Sequence, residues 1–274
     1  MPSNQAYFRL PGVSSHALIA MQRSPLHCWA TYVDPDRQDA EPTPALRFGT
    51  LVHALVLAPE TFGAEFVLAE AINRRTTAGQ AEHAALMESG KRIITAKEYQ
   101  AALAIVKAIQ KHPVAGPLFK TGAPEQVLTV DREPPRLPLK GRLDWLAPQP
   151  AIVELKTATD ASPAGFLRAL YRHGYHLSAA YYRSLVSRVT GTPEDAIPHT
   201  YVVVETRDPF AVAVYSSSER LLAEGRDLWE AALARFDECW INREWPGYPV
   251  ETLEPSASPG SGPRCAVEEG ELEL

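Results

Sequence analysis

The sequence predicts an α/β domain in which a central mixed β-sheet is flanked by α-helices. Two observations lead to this fold class. The predicted elements run in the order helices, three strands, helix, two strands, helix, which is typical of a sheet covered by helices. The run Ile152-Val153-Glu154-Leu155-Lys156-Thr157 is strand-like and largely apolar, as an interior strand of such a sheet would be. With 274 residues, 45% of them hydrophobic, the chain can bury a core of this kind.

The first predicted elements are helices bounded by capping residues and prolines. Residues 14–32 show an amphipathic pattern that Ser14 or Ser15 can cap and Pro25 interrupts. Residues 45–57 form a second, largely apolar helical segment.

A loop and a third helix follow. Residues 73–79 are polar and basic, which favours a loop. Thr95 and Glu98 have the spacing of a capping box, so a helix is predicted to begin there and to reach about Lys111.

Strand signals occupy the middle of the chain. Three strands are predicted at residues 126–130, 137–146 and 151–156, and two more at residues 199–205 and 210–216.

Helices separate and follow these strands. Ser162 and Pro163 suit the start of a helical stretch that Gly174 interrupts and Gly191 ends. The last helix begins within residues 216–219. The residues predicted on its apolar face are Leu221, Gly225, Leu228, Ala232, Phe236 and Trp240.

Composition suggests one main domain. Residues 1–13 are predicted to be an N-terminal extension and residues 14–250 a single domain. Residues 251–274 are rich in Pro, Ser and Gly and then acidic, which is typical of a disordered tail.

Charge and cysteine content narrow the class of protein. The net charge of −6 argues against a generally basic nucleic-acid coat, but a local basic channel can exist on an acidic protein. The three cysteines, Cys28, Cys239 and Cys265, are scattered and odd in number, which favours a reducing compartment without a disulfide framework. We find no pattern of a signal peptide and no apolar run near the roughly 20 residues that span a bilayer. A cytoplasmic location without membrane contact is therefore expected.

The apolar strand carries two charged residues on one side. Side chains alternate along a strand, so Glu154 and Lys156 project together. If the strand containing Asp144 pairs beside it, two carboxylates and an ammonium group converge. That grouping suits binding a divalent cation and hydrolysing a phosphodiester. The alternative is a solvated strand face, but the apolar neighbours indicate burial, and charges are rarely buried unless paired or bound to a metal.

Two further residues are ambiguous from the sequence alone. His53 lies on an apolar helix, where a histidine is usually a hydrogen-bonded core residue; it becomes a ligand only if that helix packs against the acidic strands. Glu125 precedes a predicted strand, where an exposed glutamate is the ordinary expectation.

Five motifs spread over residues 14–240 carry a family resemblance. They are Gly49-Thr50-Leu51-Val52-His53 with Leu57-Ala58-Pro59-Glu60, Asn73-Arg74-Arg75-Thr76-Thr77-Ala78-Gly79, Gly141-Arg142-Leu143-Asp144, Glu154-Leu155-Lys156-Thr157, and Tyr175-His176-Leu177 leading to Tyr182. In this order they resemble the PD-(D/E)XK nuclease superfamily, with its restriction-endonuclease-like core. The resemblance is specifically to the exodeoxyribonuclease VIII type (RecE C-terminal domain), a relative of phage lambda exonuclease.

The resemblance implies roles for the site residues. The implied ligands of Mg²⁺ are His53, Glu125, Asp144, Glu154 and the backbone carbonyl of Leu155. Because a nitrogen ligand is less typical of Mg²⁺, Mn²⁺ is expected to substitute. Lys156 would orient the attacking water and offset charge on the phosphate, so its loss should cost rate more than metal binding.

One position departs from the family pattern. The family usually has a glutamine four residues before the tyrosine of the helix after the sheet, and here Ser178 precedes Tyr182. The two positions share a helix face, but serine is too short to reach as glutamine does. The glutamine contact is dispensable, water replaces it, or turnover is slowed. Tyr182 is the candidate catalytic residue of this helix and Ser178 its candidate DNA contact, and the departure bears on both.

Basic and aromatic residues are candidates for DNA contact. Arg74, Arg75, Lys140 and Arg142 would touch phosphates or merely solubilise the surface, and Arg142 faces the side of Asp144 if its strand is regular. The aromatic candidates for stacking on bases are Tyr181, Trp145 and Trp240, although such residues are more often core.

The activity implied by the resemblance is a Mg²⁺-dependent exonuclease acting on the ends of linear double-stranded DNA. It would proceed 5′ to 3′, leave a 3′ overhang, and serve recombination or phage DNA processing as a ring-shaped homo-oligomer, with a single-strand annealing protein as partner. A related endonuclease and a catalytically weakened DNA-binding subunit are the alternatives. An end-trimming nuclease with an iron–sulfur cluster is disfavoured, because three scattered cysteines cannot supply four ligands.

Overall fold

The computed structural model describes residue 7 and residues 9–38, 41–69, 75–88 and 90–252. The N-terminal half is mainly helical. Its helices are α1 (Ser15–Arg23), α2 (Pro25–Cys28), α3 (Pro44–Leu57), α4 (Phe62–Glu65), α5 (Thr77–Glu88), α6 (Ala96–Lys111) and α7 (Ala115–Leu118). Two short strands, β1 (Phe66–Ala69) and β2 (Arg92–Thr95), pair in parallel between them.

The C-terminal half contains the main sheet. Its strands are β3 (Ala123–Val130), β4 (Leu139–Ala147), β5 (Ala151–Ala158), β6 (His199–Glu205) and β7 (Val212–Ser216). Its helices are α8 (Pro163–Arg172), α9 (Tyr175–Thr190) and α10 (Glu219–Asn242). The strands pair in chain order from β3 to β7, antiparallel except for the parallel pair β5–β6. The predicted mixed sheet flanked by helices is confirmed.

The sheet is covered on both faces. Along β6, Tyr201 and Val203 belong to one apolar cluster, while Val202 and Val204 belong to another. This alternation is what a strand buried on two sides requires. Helices α1, α9 and α10 contribute to the first cluster, and α3 and α6 contribute to the second. The sheet is therefore the middle layer of the domain.

Local sequence signals place two helix starts and one helix end as predicted. Ser14 caps α1 by accepting the N–H of Ala17, and the capping box of Thr95 and Glu98 opens α6. Gly191, in the left-handed region at φ 74°, ends α9.

Two sequence predictions need correction, and one pair of short strands was missed. Helix α5 begins at Thr77, so the end of the predicted loop 73–79 is helical. The strand predicted from residue 210 begins at Val212, because Phe210 has a φ of 56°, which is incompatible with an extended strand. The short strands β1 and β2 were not predicted.

The apolar face of α10 is also corrected. Gly225, Ala232 and Phe236 are buried as predicted, but Leu222, Trp229 and Cys239 complete the buried face. Leu221, Leu228 and Trp240 lie beside it and are only partly buried.

The chain ends lie partly outside the described residues. Residues 253–274 are not described, so the predicted disordered tail stays a prediction. The same holds for the boundaries of the single domain. Among the described residues, no helix combines the length and apolarity needed to cross a membrane.

Candidate active site

Three potential metal ligands from three different elements converge at one end of the sheet. His53 comes from α3, Glu125 from β3 and Asp144 from β4, and one ligand atom of each lies within 4.8 Å of the other two. His53 Nδ1 is 3.6 Å from Asp144 Oδ1. The sequence left His53 open between a core residue and a ligand; packing of α3 against β4 and β5 brings it to the acidic strands.

Interrupted strand pairing opens this space. On either side of Glu125 and Asp144, β3 and β4 pair regularly at Pro124↔Trp145 and Gln126↔Leu143. The Glu125–Asp144 pair itself is missing from the ladder, and Glu125 has a φ of 50°. A non-glycine residue in this left-handed region is uncommon and is often found at functional sites. Glu125 and Asp144 therefore do not face each other as a regular pair of the ladder.

Asp144 also ends the pairing between β4 and β5. The ladder runs from Ala147↔Ala151 to Trp145↔Val153 and stops there. Asp144 Oδ2 instead accepts the backbone N–H of Leu155 at 2.9 Å. Leu155 is fully buried, and this bond fixes the carboxylate against β5.

Glu154 and Lys156 form a close ion pair beside the cluster. Lys156 Nζ lies 2.7 Å from Glu154 Oε2 and 3.8 Å from Asp144 Oδ2. Glu154 is 5% exposed, and its Oε1 has no hydrogen-bond partner among the described residues. The predicted convergence of two carboxylates and an ammonium group is therefore present, although Glu154 lies outside the His53–Glu125–Asp144 cluster.

Burial and neighbouring charges shift the pKa values of Glu154 and Lys156. Desolvation, together with the nearby charge of Asp144, raises the pKa of Glu154 to about 7 despite the ammonium of Lys156. Desolvation opposes charge on Lys156 as well, but Glu154 and Asp144 outweigh it and hold the pKa of the lysine well above its usual range. Lys156 is thus a fixed cation.

The pKa values of Asp144 and His53 are both lowered, for different reasons. Burial would raise the pKa of Asp144, but His53, Lys156 and the N–H of Leu155 lower it below its ordinary value. Desolvation lowers the pKa of His53 although Asp144 opposes this. At neutral pH the site therefore offers an ionised carboxylate and a neutral imidazole, which are the forms that bind metals.

Arg142 forms an ion pair with Glu125. Its Nε lies 2.8 Å from Glu125 Oε2, and its guanidinium carbon lies 5.4 Å from the centre of the Tyr7 ring. Desolvation raises the pKa of Glu125, and Arg142 counteracts this. Arg142 is thus on the side of the acidic cluster, engaged by Glu125.

The two helix residues that the sequence singled out, Tyr182 and Ser178, both lie on α9. Tyr182 is buried, and its hydroxyl accepts a hydrogen bond from Ser15 Oγ at 3.2 Å. Burial, followed by the charge of Glu154, raises its pKa. Ser178, one turn earlier on α9, is partly exposed. Their catalytic and DNA-binding roles stay predictions.

The other basic residues predicted to contact DNA do not lie together at the site. Arg74 lies outside the described residues, and Arg75 is exposed just before α5. Lys140 is buried and donates to the backbone carbonyls of Tyr7 and Leu10 at 3.3 and 2.6 Å, so it anchors the N-terminal segment.

The aromatic candidates are mostly core. Tyr181 and Trp145 are buried, and the Tyr181 hydroxyl donates to the Val13 carbonyl at 2.7 Å. Trp240 is partly buried and donates to the carbonyl of Pro135.

Two residues near the site were given no role from the sequence, although Tyr175 stands in the last of the five motifs. The Tyr175 ring lies 5.2 Å from Lys156 Nζ. Its position three residues before Ser178, on the same helix face as Tyr182, was an available signal. His16, in the first turn of α1, has its pKa lowered by desolvation and then by the charges of Lys156 and Arg142. No local pattern marks His16, because only packing of α1 brings it near.

The donor set suits a divalent cation. Two carboxylates and an imidazole offer oxygen and nitrogen ligands within one small space. The unpartnered Oε1 of Glu154 is a buried acceptor that a cation or its water would satisfy. These residues therefore fit a metal, and a fixed lysine lies beside it.

Comparisons with known proteins identify the family and the fold. The model of a family described as "PDDEXK-like domain of unknown function (DUF3799)" matches residues 14–254. A search of curated proteins finds no match.

Two solved structures are similar to the chain. A candidate exonuclease from Eubacterium rectale is 14% identical, with a TM-score of 0.63 over 88% of this chain and 85% of that one. At this identity the likeness concerns the fold alone. The protein SSO0001 is 15% identical over 71% of this chain and 85% of that one, but its TM-score of 0.31 carries no argument.

Proposed function

Since this chain belongs to the family of PDDEXK-like domains, we propose that it is a divalent-metal-dependent deoxyribonuclease that degrades linear double-stranded DNA from its ends. The observation that carries the proposal is the convergence of His53, Glu125 and Asp144 beside the Glu154–Lys156 pair. Two carboxylates and an imidazole lie within 4.8 Å of one another, and Lys156 Nζ lies 2.7 Å from Glu154 and 3.8 Å from Asp144.

The residues have distinct tasks in this proposal. His53, Glu125 and Asp144 hold the cation, with Glu154 and the carbonyl of Leu155 as the further ligands implied by the sequence resemblance. A divalent cation held there would supply Lewis acidity for activating water and for stabilising charge on the leaving oxygen. Mg²⁺ is the proposed ion, with Mn²⁺ as a substitute because of the nitrogen ligand.

Lys156 would orient the attacking water and stabilise the phosphate. Its ammonium stays protonated beside Glu154 and Asp144, so it can stabilise the negative charge that develops on the phosphate. Tyr175 and Glu154 hold the ammonium in place. Arg142 lies next to the cluster and would reach a phosphate once Glu125 turns to the cation.

The finer assignment follows the sequence resemblance to exodeoxyribonuclease VIII. It comprises 5′-to-3′ polarity, a 3′ single-strand overhang, a ring-shaped homo-oligomer around DNA, and a role in recombination or phage DNA processing with a single-strand annealing protein. A cytoplasmic location belongs to the same proposal. Of the arginines proposed to contact DNA, Arg75 is exposed.

A second candidate is a catalytically weakened DNA-binding subunit. Ser178 favours it, because its side chain replaces a longer glutamine on the face of α9 that carries Tyr182.

Digestion of linear and circular duplex DNA, each with Mg²⁺ and with EDTA, separates the candidates. We expect linear DNA to disappear only with Mg²⁺ while circles persist. Cutting of circles would indicate an endonuclease, and shifted but intact DNA a binding subunit. Duplex labelled at one 5′ or one 3′ end then gives the polarity.

A further inference from the structure

A column of aromatic rings leads from the core to the surface past Lys156. The ring centres of Tyr215 and Phe166 lie 5.4 Å apart at an interplanar angle of 8°. Phe166 and Tyr175 follow at 6.3 Å and 28°, and Tyr175 and His173 at 5.4 Å and 28°. Phe166 is buried, whereas His173 is exposed. The column therefore ends in a ring that faces solvent.

Hydrogen bonds fix the inner part of the column. The Tyr215 hydroxyl donates to the Ala161 carbonyl at 2.7 Å, and the Tyr201 hydroxyl donates to the Tyr175 carbonyl at 2.8 Å. Gly174 links His173 to Tyr175 in the left-handed region, at φ 67°. This turn between α8 and α9 brings two neighbouring rings into a stack. A platform fixed in this way loses little conformational entropy when a ligand binds.

The column adjoins the catalytic lysine and a surface cation. Lys156 Nζ lies 5.2 Å from the centre of the Tyr175 ring, one ring away from His173. Arg172, next to His173, is exposed and forms no ion pair or hydrogen bond with any residue the structure describes. A ring and a cation are thus presented side by side, close to the point of cleavage.

We propose that the outer face of His173 stacks on a nucleobase of the strand being cut, with Arg172 contacting the adjoining phosphate. Proteins that bind single strands combine aromatic platforms with positive charge in this way. The base must be unpaired to stack, so the inference adds local fraying of the DNA end to the proposed nuclease function, on which it rests.

Core packing does not explain the outer ring. Phe166 and Tyr201 contact edge to face within the core, but His173 is exposed and buries little area against the protein. Desolvation and the charge of Arg172 lower the pKa of His173, so the imidazole is neutral at pH 7 and stacks as an uncharged ring.

The test measures stacking without cleavage. The protein carries Asp144→Asn and is kept in EDTA, and the probe is a duplex with a frayed end containing 2-aminopurine, whose fluorescence is quenched by stacking. His173→Ala removes the ring, His173→Phe retains one, and Leu167→Ala is the matched control, because Leu167 is an exposed residue of α8 outside the column. Circular dichroism checks that each variant is folded.

We expect His173→Ala to bind about tenfold more weakly and to lose the quenching, while His173→Phe and Leu167→Ala behave as the parent protein. Equal quenching in His173→Ala, or loss in His173→Phe or Leu167→Ala, would overturn the stacking proposal.

Digestion by the protein with Asp144 intact gives the separate readout. Suppose that the protein with Asp144 intact degrades linear DNA with Mg²⁺. If His173→Ala, in the Asp144→Asn protein, then leaves binding and quenching unchanged, the stacking inference alone fails. If the protein with Asp144 intact neither binds nor degrades DNA, the proposed function and the inference fail together.

Discussion

The carboxylate of Asp144 accepts the backbone N–H of Leu155 at 2.9 Å, at the point where β4 and β5 stop pairing. Its other oxygen lies 3.6 Å from His53 Nδ1. One side chain thus closes the fork between two strands and faces the proposed metal site. Where the two strands separate, side chains of the sheet can face the proposed metal site instead of a layer of helices.

Asp144→Asn should abolish cleavage and leave the fold intact. The asparagine oxygen can still accept the N–H of Leu155, but the charge that binds the cation is lost. We expect the cleavage rate to fall by at least ~10³, since a metal contributes several kcal/mol and each 1.36 kcal/mol is tenfold. Single-turnover cleavage and isothermal titration with Mg²⁺ measure the two effects. Asp36→Asn, at an exposed position, is the control, and an active Asp144→Asn protein would refute the site.

Lys156→Met should reduce the rate much more than metal affinity. The methionine keeps most of the length of the side chain and removes the ammonium that contacts Glu154 and is proposed to stabilise the phosphate. We expect cleavage to fall by ~10² to 10⁴, the range of a positioned acid–base or electrostatic group, with Mg²⁺ affinity within a few-fold. Lys107→Met, at an exposed position on α6, controls for the substitution. Equal losses in rate and in Mg²⁺ affinity would mean that Lys156 supports the metal site instead.

Much of the fold follows from local signals. Ser14, the pair Thr95 and Glu98, and Gly191 act on their own backbone neighbours, so their effect can be predicted without tertiary structure. Strands β1 and β2 have four residues each, too few to show a period, and their parallel pairing joins distant segments. Such elements depend on contacts that a single sequence does not display.

The candidate site also combines features that the local sequence predicts with features that depend on tertiary packing. Alternation along one strand was sufficient to place Glu154 and Lys156 together. The approach of His53 depends on how α3 packs, and the orientation of Glu125 depends on a φ of 50° that interrupts strand pairing. The engagement of Arg142 by Glu125 is equally non-local. These arrangements arise from tertiary packing, so motif order could suggest the residues but not their geometry.

His53→Asn should change the metal preference. The imidazole is the only nitrogen ligand of the cluster in the described part of the chain, and nitrogen favours Mn²⁺ over Mg²⁺. We expect affinity for Mn²⁺ to fall about tenfold and affinity for Mg²⁺ less, so that the ratio of Mn²⁺- to Mg²⁺-supported activity decreases. Titration of both ions followed by cleavage assays measures it. An unchanged ratio would indicate that His53 is a packing residue.

Gly225→Ala should destabilise the domain. A Cβ at this position of α10 would lie 2.1 Å from the carbonyl oxygen of His176, a backbone atom that cannot move aside cheaply. We expect a loss of ~1–3 kcal/mol in the free energy of unfolding, typical of overpacking. Chemical denaturation measures it. Gly63→Ala is the matched control, because nothing lies within 4 Å of its added Cβ, and equal effects of the two substitutions would refute the close approach of α9 and α10.

The raised pKa of Glu154 predicts a pH dependence of stability in the metal-free protein. The pKa is about 7 in the folded state, against an ordinary value of 4.5, so between these values the folded protein binds more protons at this site than the unfolded chain. The contribution of Glu154 to the free energy of unfolding should therefore decrease as pH rises from about 4.5 to 7, by up to ~3 kcal/mol, and then level off. Urea denaturation in EDTA across this range measures the slope. Glu154→Gln, which does not titrate, should lack this contribution, and equal slopes in the two proteins would contradict the assignment.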